Sequence, residues 1–151
     1  MELILWRHAE ASPARAGQDD LARELTAKGE RQARRMAEWL TPRLADDALI
    51  LASPAVRTRQ TAEALGRPFS TVPALAPDAA VRAVLDAAGW PDAPAPVVVV
   101  GHQPTLGMVA ATLLAGQPLR WSIRKGAVWW FRRRDGEEGG LLLQAVQSPE
   151  T

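Results

Sequence analysis

Four consecutive valines, Val97 to Val100, constrain this chain more than any other feature. Branching at Cβ restricts the side chain and favours extended backbone, so the run predicts a β-strand. Two other short apolar runs resemble it. Glu2 to Trp6 fits a strand buried on both faces, and Ala48 to Ala52 gives another strand.

Helix-like stretches alternate with these runs. Thr26 can accept backbone N–H bonds as an N-cap, and Ala33, Met36, Ala37, Leu40 and Leu44 then recur at helical spacing. Arg31, Arg34, Arg35 and Glu38 lie largely off that face, and Pro42 predicts an end or bend near Leu40. A second helix carries Val56, Ala62 and Leu65, with Pro54 in its first turn and Gly66-Arg67-Pro68 stopping it. Phe69 to Val72 reads as a short strand. Asp78 to Ala88 reads as a helix ending at Gly89, and Thr105 to Ala115 as a mainly apolar helix ending at Gly116. Ala127 to Phe131 and Leu141 to Val146 look like paired strands joined through Asp135-Gly136 and Gly139-Gly140. The alternation predicts a three-layer α/β/α sandwich around a mostly parallel central sheet.

At 151 residues the chain fits a single domain, residues 1–151, large enough to bury its own core. No cysteine is present, which excludes disulfides, thiolate nucleophiles and cysteine-bound metals and is compatible with a cytoplasmic location. Ala9-Glu10-Ala11 resembles a signal cleavage site, but the apolar run before it is too short and the leading charge is acidic Glu2. No stretch approaches a membrane span. The net charge of +1 argues against strong global attraction to nucleic acid or membrane. Arg132-Arg133-Arg134, beside Trp129 and Trp130, reads as a solvated hairpin end. The expected state is a monomer. Trp6 is expected in the core and Trp39 along its helix, while Trp90 and Trp121 receive no assignment.

Ligands of open parallel sheets bind beyond the carboxyl ends of the strands. That rule selects a small set of residues. The first strand delivers Arg7 and His8, the second delivers Ser53-Pro54 and, a helical turn on, Arg57, and the valine strand delivers His102. If these strands are neighbours, both histidines of the protein and two arginines share one rim. Arginine presents a permanently charged fork of donors suited to phosphate oxygens. A neutral imidazole is a competent nucleophile toward phosphorus, and a second can stabilise charge on the transferring group. The helix starting near Pro104 would direct its positive end there, with Gln103 and later residues supplying the donors. A metal site from His8, His102 and Glu10 or Asp78 is the competing chemistry, but no close-spaced histidine pair supports it. No Gly-x-x-x-x-Gly-Lys phosphate loop is present.

The segment Leu5-Trp6-Arg7-His8-Ala9-Glu10 resembles the Arg-His signature of the histidine phosphatase superfamily, also called phosphoglycerate mutase-like. Three further segments match in order. They are Leu25 to Ala33, Ser53-Pro54-Ala55-Val56-Arg57-Thr58-Arg59-Gln60-Thr61, and Val100-Gly101-His102. The resemblance implies that His8 accepts the phosphoryl group, that Arg7, Arg57 and His102 bind it, and that no metal or other cofactor is needed. Short length brings the chain nearest to the bacterial SixA phosphohistidine phosphatase type, without the large inserted lid. Val72 to Asp78 leaves little room for one. The implied substrate is a phosphorylated protein or a small phosphorylated metabolite. A phosphate-binding relative without turnover, or a mutase, are the other classes to separate.

Two positions depart from the family pattern. Ala9 replaces the usual glycine, which requires negative φ there. The acid that larger members use as proton donor has only Asp78 as its counterpart, and Asp78 reads equally well as the N-cap of the next helix. A phosphohistidine substrate has a good leaving group and relaxes the need for a strong acid. The loop Ala9 to Glu24, the segment Val72 to Asp78 and the tail Arg120 to Gly126 are where specificity is expected.

Overall fold

The computed structural model describes residues 1–135 and 139–150. The strands are β1 (Glu2–Arg7), β2 (Leu49–Ala52), β3 (Ser70–Thr71), β4 (Val97–Gly101), β5 (Val128–Arg133) and β6 (Leu141–Gln147). The helices are α1 (Ala27–Leu40), α2 (Val56–Glu63), α3 (Val81–Ala88) and α4 (Thr105–Ala115). One sheet forms in the order β3-β2-β4-β1-β5-β6. β3, β2, β4 and β1 run parallel, whereas β5 and β6 are antiparallel additions at the β1 edge.

Alternation along the strands divides the core into two layers. Leu3, Leu5, Leu51, Val97 and Val99 pack with Val84 and Leu85 of α3 and Leu106 and Val109 of α4. Ile4, Trp6, Ile50, Ala52, Val98 and Val100 pack on the opposite face with Met36, Ala37 and Leu40 of α1 and Ala62 of α2. Every residue of β4 is buried, as strands covered on both faces require. Thus the fold is the expected three-layer α/β/α arrangement, with no large insertion between α2 and α3.

Local signals located most ends. Thr26 caps α1 by accepting from Gly29 N–H at 3.0 Å. Gly89 and Gly116 take left-handed backbone just after α3 and α4. α1 stops at Leu40, with Pro42 beyond it. Trp6 is fully buried and donates to the Gly126 carbonyl at 3.0 Å. Trp39 meets Trp130 edge-on, with ring centres 6.2 Å apart.

Several boundaries differ. Pro54 does not enter the first turn of α2: Ser53 Oγ accepts the Ala55 N–H at 3.2 Å, and this short turn leaves Ala55, in extended backbone, as the N-cap. The same helix ends at Glu63, because the amides of Ala64, Leu65 and Gly66 bond three residues back and tighten the chain out of α geometry. Asp78 is not an N-cap. Its φ is +68°, α3 starts only at Val81, and Ala80 occupies the cap without a side-chain bond. Aspartate tolerates the left-handed region better than most residues. The Phe69–Val72 strand contracts to Ser70–Thr71 at the sheet edge. Part of the Asp135-Gly136 turn lies outside the described residues.

Candidate active site

The register of β1, β4 and β2 assembles the rim. Arg7 pairs with Gly101, and Val100 with both Trp6 and Ala52, so three strands end at the same level. Beyond them the ladder continues, with His8 N–H donating to the Gly101 carbonyl and Ser53 N–H to the Val100 carbonyl, each at 3.1 Å. His8, His102 and Ser53 therefore leave adjacent strand ends. The two imidazole ring centres lie 5.4 Å apart.

His8 has a defined orientation. Its Nδ1 lies 2.7 Å from the Ala9 carbonyl oxygen. A carbonyl only accepts, so Nδ1 carries the proton and Nε2 holds the free lone pair. Burial pushes the His8 pKa down to about 4; the Ala9 bond opposes this, while the charges of Arg57, Arg7 and Arg23 add to it. His102 falls to about 3, again through burial first, with the charge of Arg57 next. Both rings are therefore neutral near pH 7. Ala9 keeps negative φ, since Asp78 is the only non-glycine with positive φ among the described residues.

Each arginine is held through terminal nitrogens while its Nε stays buried without a partner. Arg7 donates through one terminal nitrogen to the Ile123 carbonyl at 2.8 Å. Arg57 is almost fully buried and donates to the Asp20 backbone carbonyl at 2.8 Å and to its carboxylate at 3.0 Å. Three buried side-chain polar atoms have no partner among the described residues: Arg7 Nε, Arg57 Nε and His102 Nδ1. They belong to the three residues expected to hold phosphate.

Sequence reasoning missed Asp20 and Arg23. Arg23 pairs with the Asp20 carboxylate at 3.1 Å and its charge reaches His8. Partial burial raises the Asp20 carboxyl, but the hydrogen bonds and charges of Arg23 and Arg57 outweigh this and hold it below the usual carboxylate range. The available signal was Asp19-Asp20 followed by Arg23 just ahead of the Leu25–Ala33 segment. The helix end at Pro104 offers less than expected. Leu106 N–H already donates to the His102 carbonyl, and Gly107 N–H to Gln103 Oε1. Glu10 is committed elsewhere, its carboxylate accepting from Thr26 at 2.8 Å. Asp78 makes no side-chain hydrogen bond or ion pair among the described residues. No group of three His, Cys, Asp or Glu there is placed to hold a metal.

Two expectations arise from this geometry. NMR titration of the two histidine rings should show both neutral down to about pH 5. An unfolded imidazole titrates near 6.5. Because the folded values are depressed, the unfolded chain binds more protons below that pH. Stability should be complete above about pH 6.5 and decline as pH falls toward 4 and 3. A urea midpoint that stays flat over that range would contradict this.

The second concerns Gly107. A Cβ there would overlap the Trp121 carbonyl oxygen, which also accepts from Gln103 Nε2 at 2.9 Å. Gly107→Ala should push away the segment that supplies Ile123 to Arg7. A loss of about 1–3 kcal/mol in stability is expected, read by denaturant unfolding, with reduced turnover.

Residues 3–80 match the family model described as the histidine phosphatase superfamily, branch 1. The phosphohistidine phosphatase SixA of Escherichia coli is 31% identical over 125 residues, covering 78% of this chain and 76% of the relative. An uncharacterized protein of Picosynechococcus sp. is 38% identical over 124 residues, covering 78% and 75%. Among solved structures, a candidate phosphohistidine phosphatase SixA from Nakamurella multipartitia superposes with a TM-score of 0.83 at 28% identity, covering 99% of this chain and 96% of that one. A protein histidine phosphatase SixA solved with tungstate gives 0.77 at 26% identity, covering 99% and 97%. The neutral histidine pair at the strand ends, the arginines around it and these likenesses agree: the chain belongs to branch 1 of the histidine phosphatase superfamily.

Proposed function

We propose that this chain hydrolyses a phosphohistidine on a protein, or a small phosphate monoester, through a covalent phosphohistidine on His8. The supporting observation is the set of three buried nitrogens without a partner, Arg7 Nε, Arg57 Nε and His102 Nδ1, beside a histidine whose Nε2 lone pair is free. A phosphoryl group has three non-bridging oxygens, and these three groups would bind it as its charge spreads. The tungstate bound to the SixA relative is an oxyanion of similar shape, which favours the same reading.

In the first step, His8 Nε2 forms a bond to phosphorus while the bond to the leaving group breaks with its electron pair. A nitrogen leaving group from phosphohistidine needs little acid assistance, in keeping with an Asp78 whose side chain makes no hydrogen bond or ion pair among the described residues. In the second step, water attacks phosphorus, the Nε2–P bond breaks, phosphate leaves and the water proton is lost to solvent. Arg7, His8, Arg57 and His102 supply binding and nucleophilicity, with no metal in either step. A panel of phosphohistidine peptides, sugar phosphates and nucleotides, assayed with a chelator present, tests the reading. Release of phosphate from the peptide above all others is expected. Absence of turnover on every member, with binding retained, would replace the enzyme by a phosphate-binding module.

A further inference from the structure

Ser53 is fully buried at the end of β2, and its hydroxyl has two neighbours. Oγ accepts the Ala55 N–H at 3.2 Å and lies 2.7 Å from His102 Nε2. The other ring nitrogen of His102, Nδ1, is buried without a partner. A neutral ring carries one proton, so two arrangements compete. If Nε2 carries it and donates to Ser53, the serine hydroxyl hydrogen has no acceptor among the observed bonds, and Nδ1 is a buried lone pair bonded to nothing. If the serine hydroxyl donates to Nε2, both bonds of Ser53 are used and only the Nδ1–H remains open. The second arrangement leaves one buried polar group unpaired, the first leaves two, and buried polar groups are normally paired.

We propose that Ser53 is a positioning residue that holds His102 in its Nδ1–H form, so that this N–H meets a phosphoryl oxygen. The opposite form would present a lone pair to an anion. His8 is held in the same proton state by a different partner, the Ala9 carbonyl. The two rings thereby take complementary roles, His8 offering a lone pair from Nε2 and His102 a donor from Nδ1. This assignment rests on the phosphatase reading of the site for its consequence, but not for its measurement.

Nitrogen-15 NMR of the imidazoles distinguishes the two proton positions, and the chain has only two histidines. Comparison with His8→Ala assigns the signals. In the unliganded wild type, His102 should show the Nδ1–H signature near pH 7. Ser53→Ala should shift it toward Nε2–H without altering His8, and lower kcat by roughly ten- to a hundredfold with KM changed less. Ser53→Thr, which keeps the hydroxyl, should restore both. Wild-type His102 in the Nε2–H form would overturn the proposal whether or not any variant folds. So would a Ser53→Ala protein that keeps the Nδ1–H signature. Neither outcome touches the phosphatase reading, which instead fails if the wild type turns over no phosphorylated substrate.

Discussion

Replacing His8 with alanine is expected to lower phosphatase turnover by on the order of 10⁴-fold or more, the scale seen when a covalent nucleophile is removed. The reason lies in the hydrogen bond at the other end of the ring. With Nδ1–H committed to the Ala9 carbonyl, His8 presents a lone pair on Nε2, and its depressed pKa keeps that lone pair unprotonated at neutral pH. His102 cannot take over, because with the Ser53 hydroxyl donating to Nε2 its other ring nitrogen carries the proton and offers no lone pair to phosphorus. The wild type, quenched during reaction with a labelled phosphoryl donor, should carry acid-labile label on His8. The variant should carry none. His8→Ala protein that keeps a tenth or more of wild-type activity would remove the covalent mechanism. Stability should change little, since only one ring bond, to a neighbouring carbonyl, is lost.

Much of this site was legible because of where its residues sit relative to strands. Arg7, His8 and His102 lie within two residues of strand ends, so the topology alone brings them together. The parallel pairing of β1 with β4 and of β4 with β2 supplies that topology. Val97–Val100 and the Thr26 cap were readable for a related reason, as each is decided by bonds or packing within a few residues. Pro54 was misplaced because the deciding bond, Ser53 Oγ to Ala55 N–H, depends on a rotamer. Asp78 was misread because carboxylates favour both caps and left-handed turns, and here the turn wins. Asp20 and Arg23 carried only a weak local signal, for a deeper reason. The loop from Ala9 to Glu24 has no apolar period, and its role emerges only when it reaches Arg57, 37 residues away. The proton position on His102 likewise depends on a contact between residues 49 apart.

The contact between Asp20 and Arg57 also shapes what removing Arg57 should do. Arg57→Ala is expected to lower kcat/KM by about 10²–10³-fold, as for loss of one donor to a charged transition state. A buried ion pair usually destabilises strongly when one partner is removed, because the other charge stays buried. Here the partner left behind is Asp20, whose side chain is 54% exposed and still pairs with Arg23. Water can therefore solvate it, and the stability loss should be well below that of a fully buried pair. Arg57→Lys separates charge from geometry. Arginine reaches the Asp20 carbonyl and carboxylate with its two terminal nitrogens while leaving Nε buried and unpartnered. A lysine ammonium offers one point charge and cannot make the two Asp20 contacts and a phosphoryl contact in the same fork. KM should recover partly in Arg57→Lys, while kcat stays low. The histidines report on the same change. Arg57 supplies the leading charge contribution that lowers both imidazoles, so Arg57→Ala should move both titrations upward toward the ordinary histidine range. Unchanged histidine titrations together with wild-type kcat/KM would place Arg57 outside the working site and leave it only the task of anchoring the Asp20 loop.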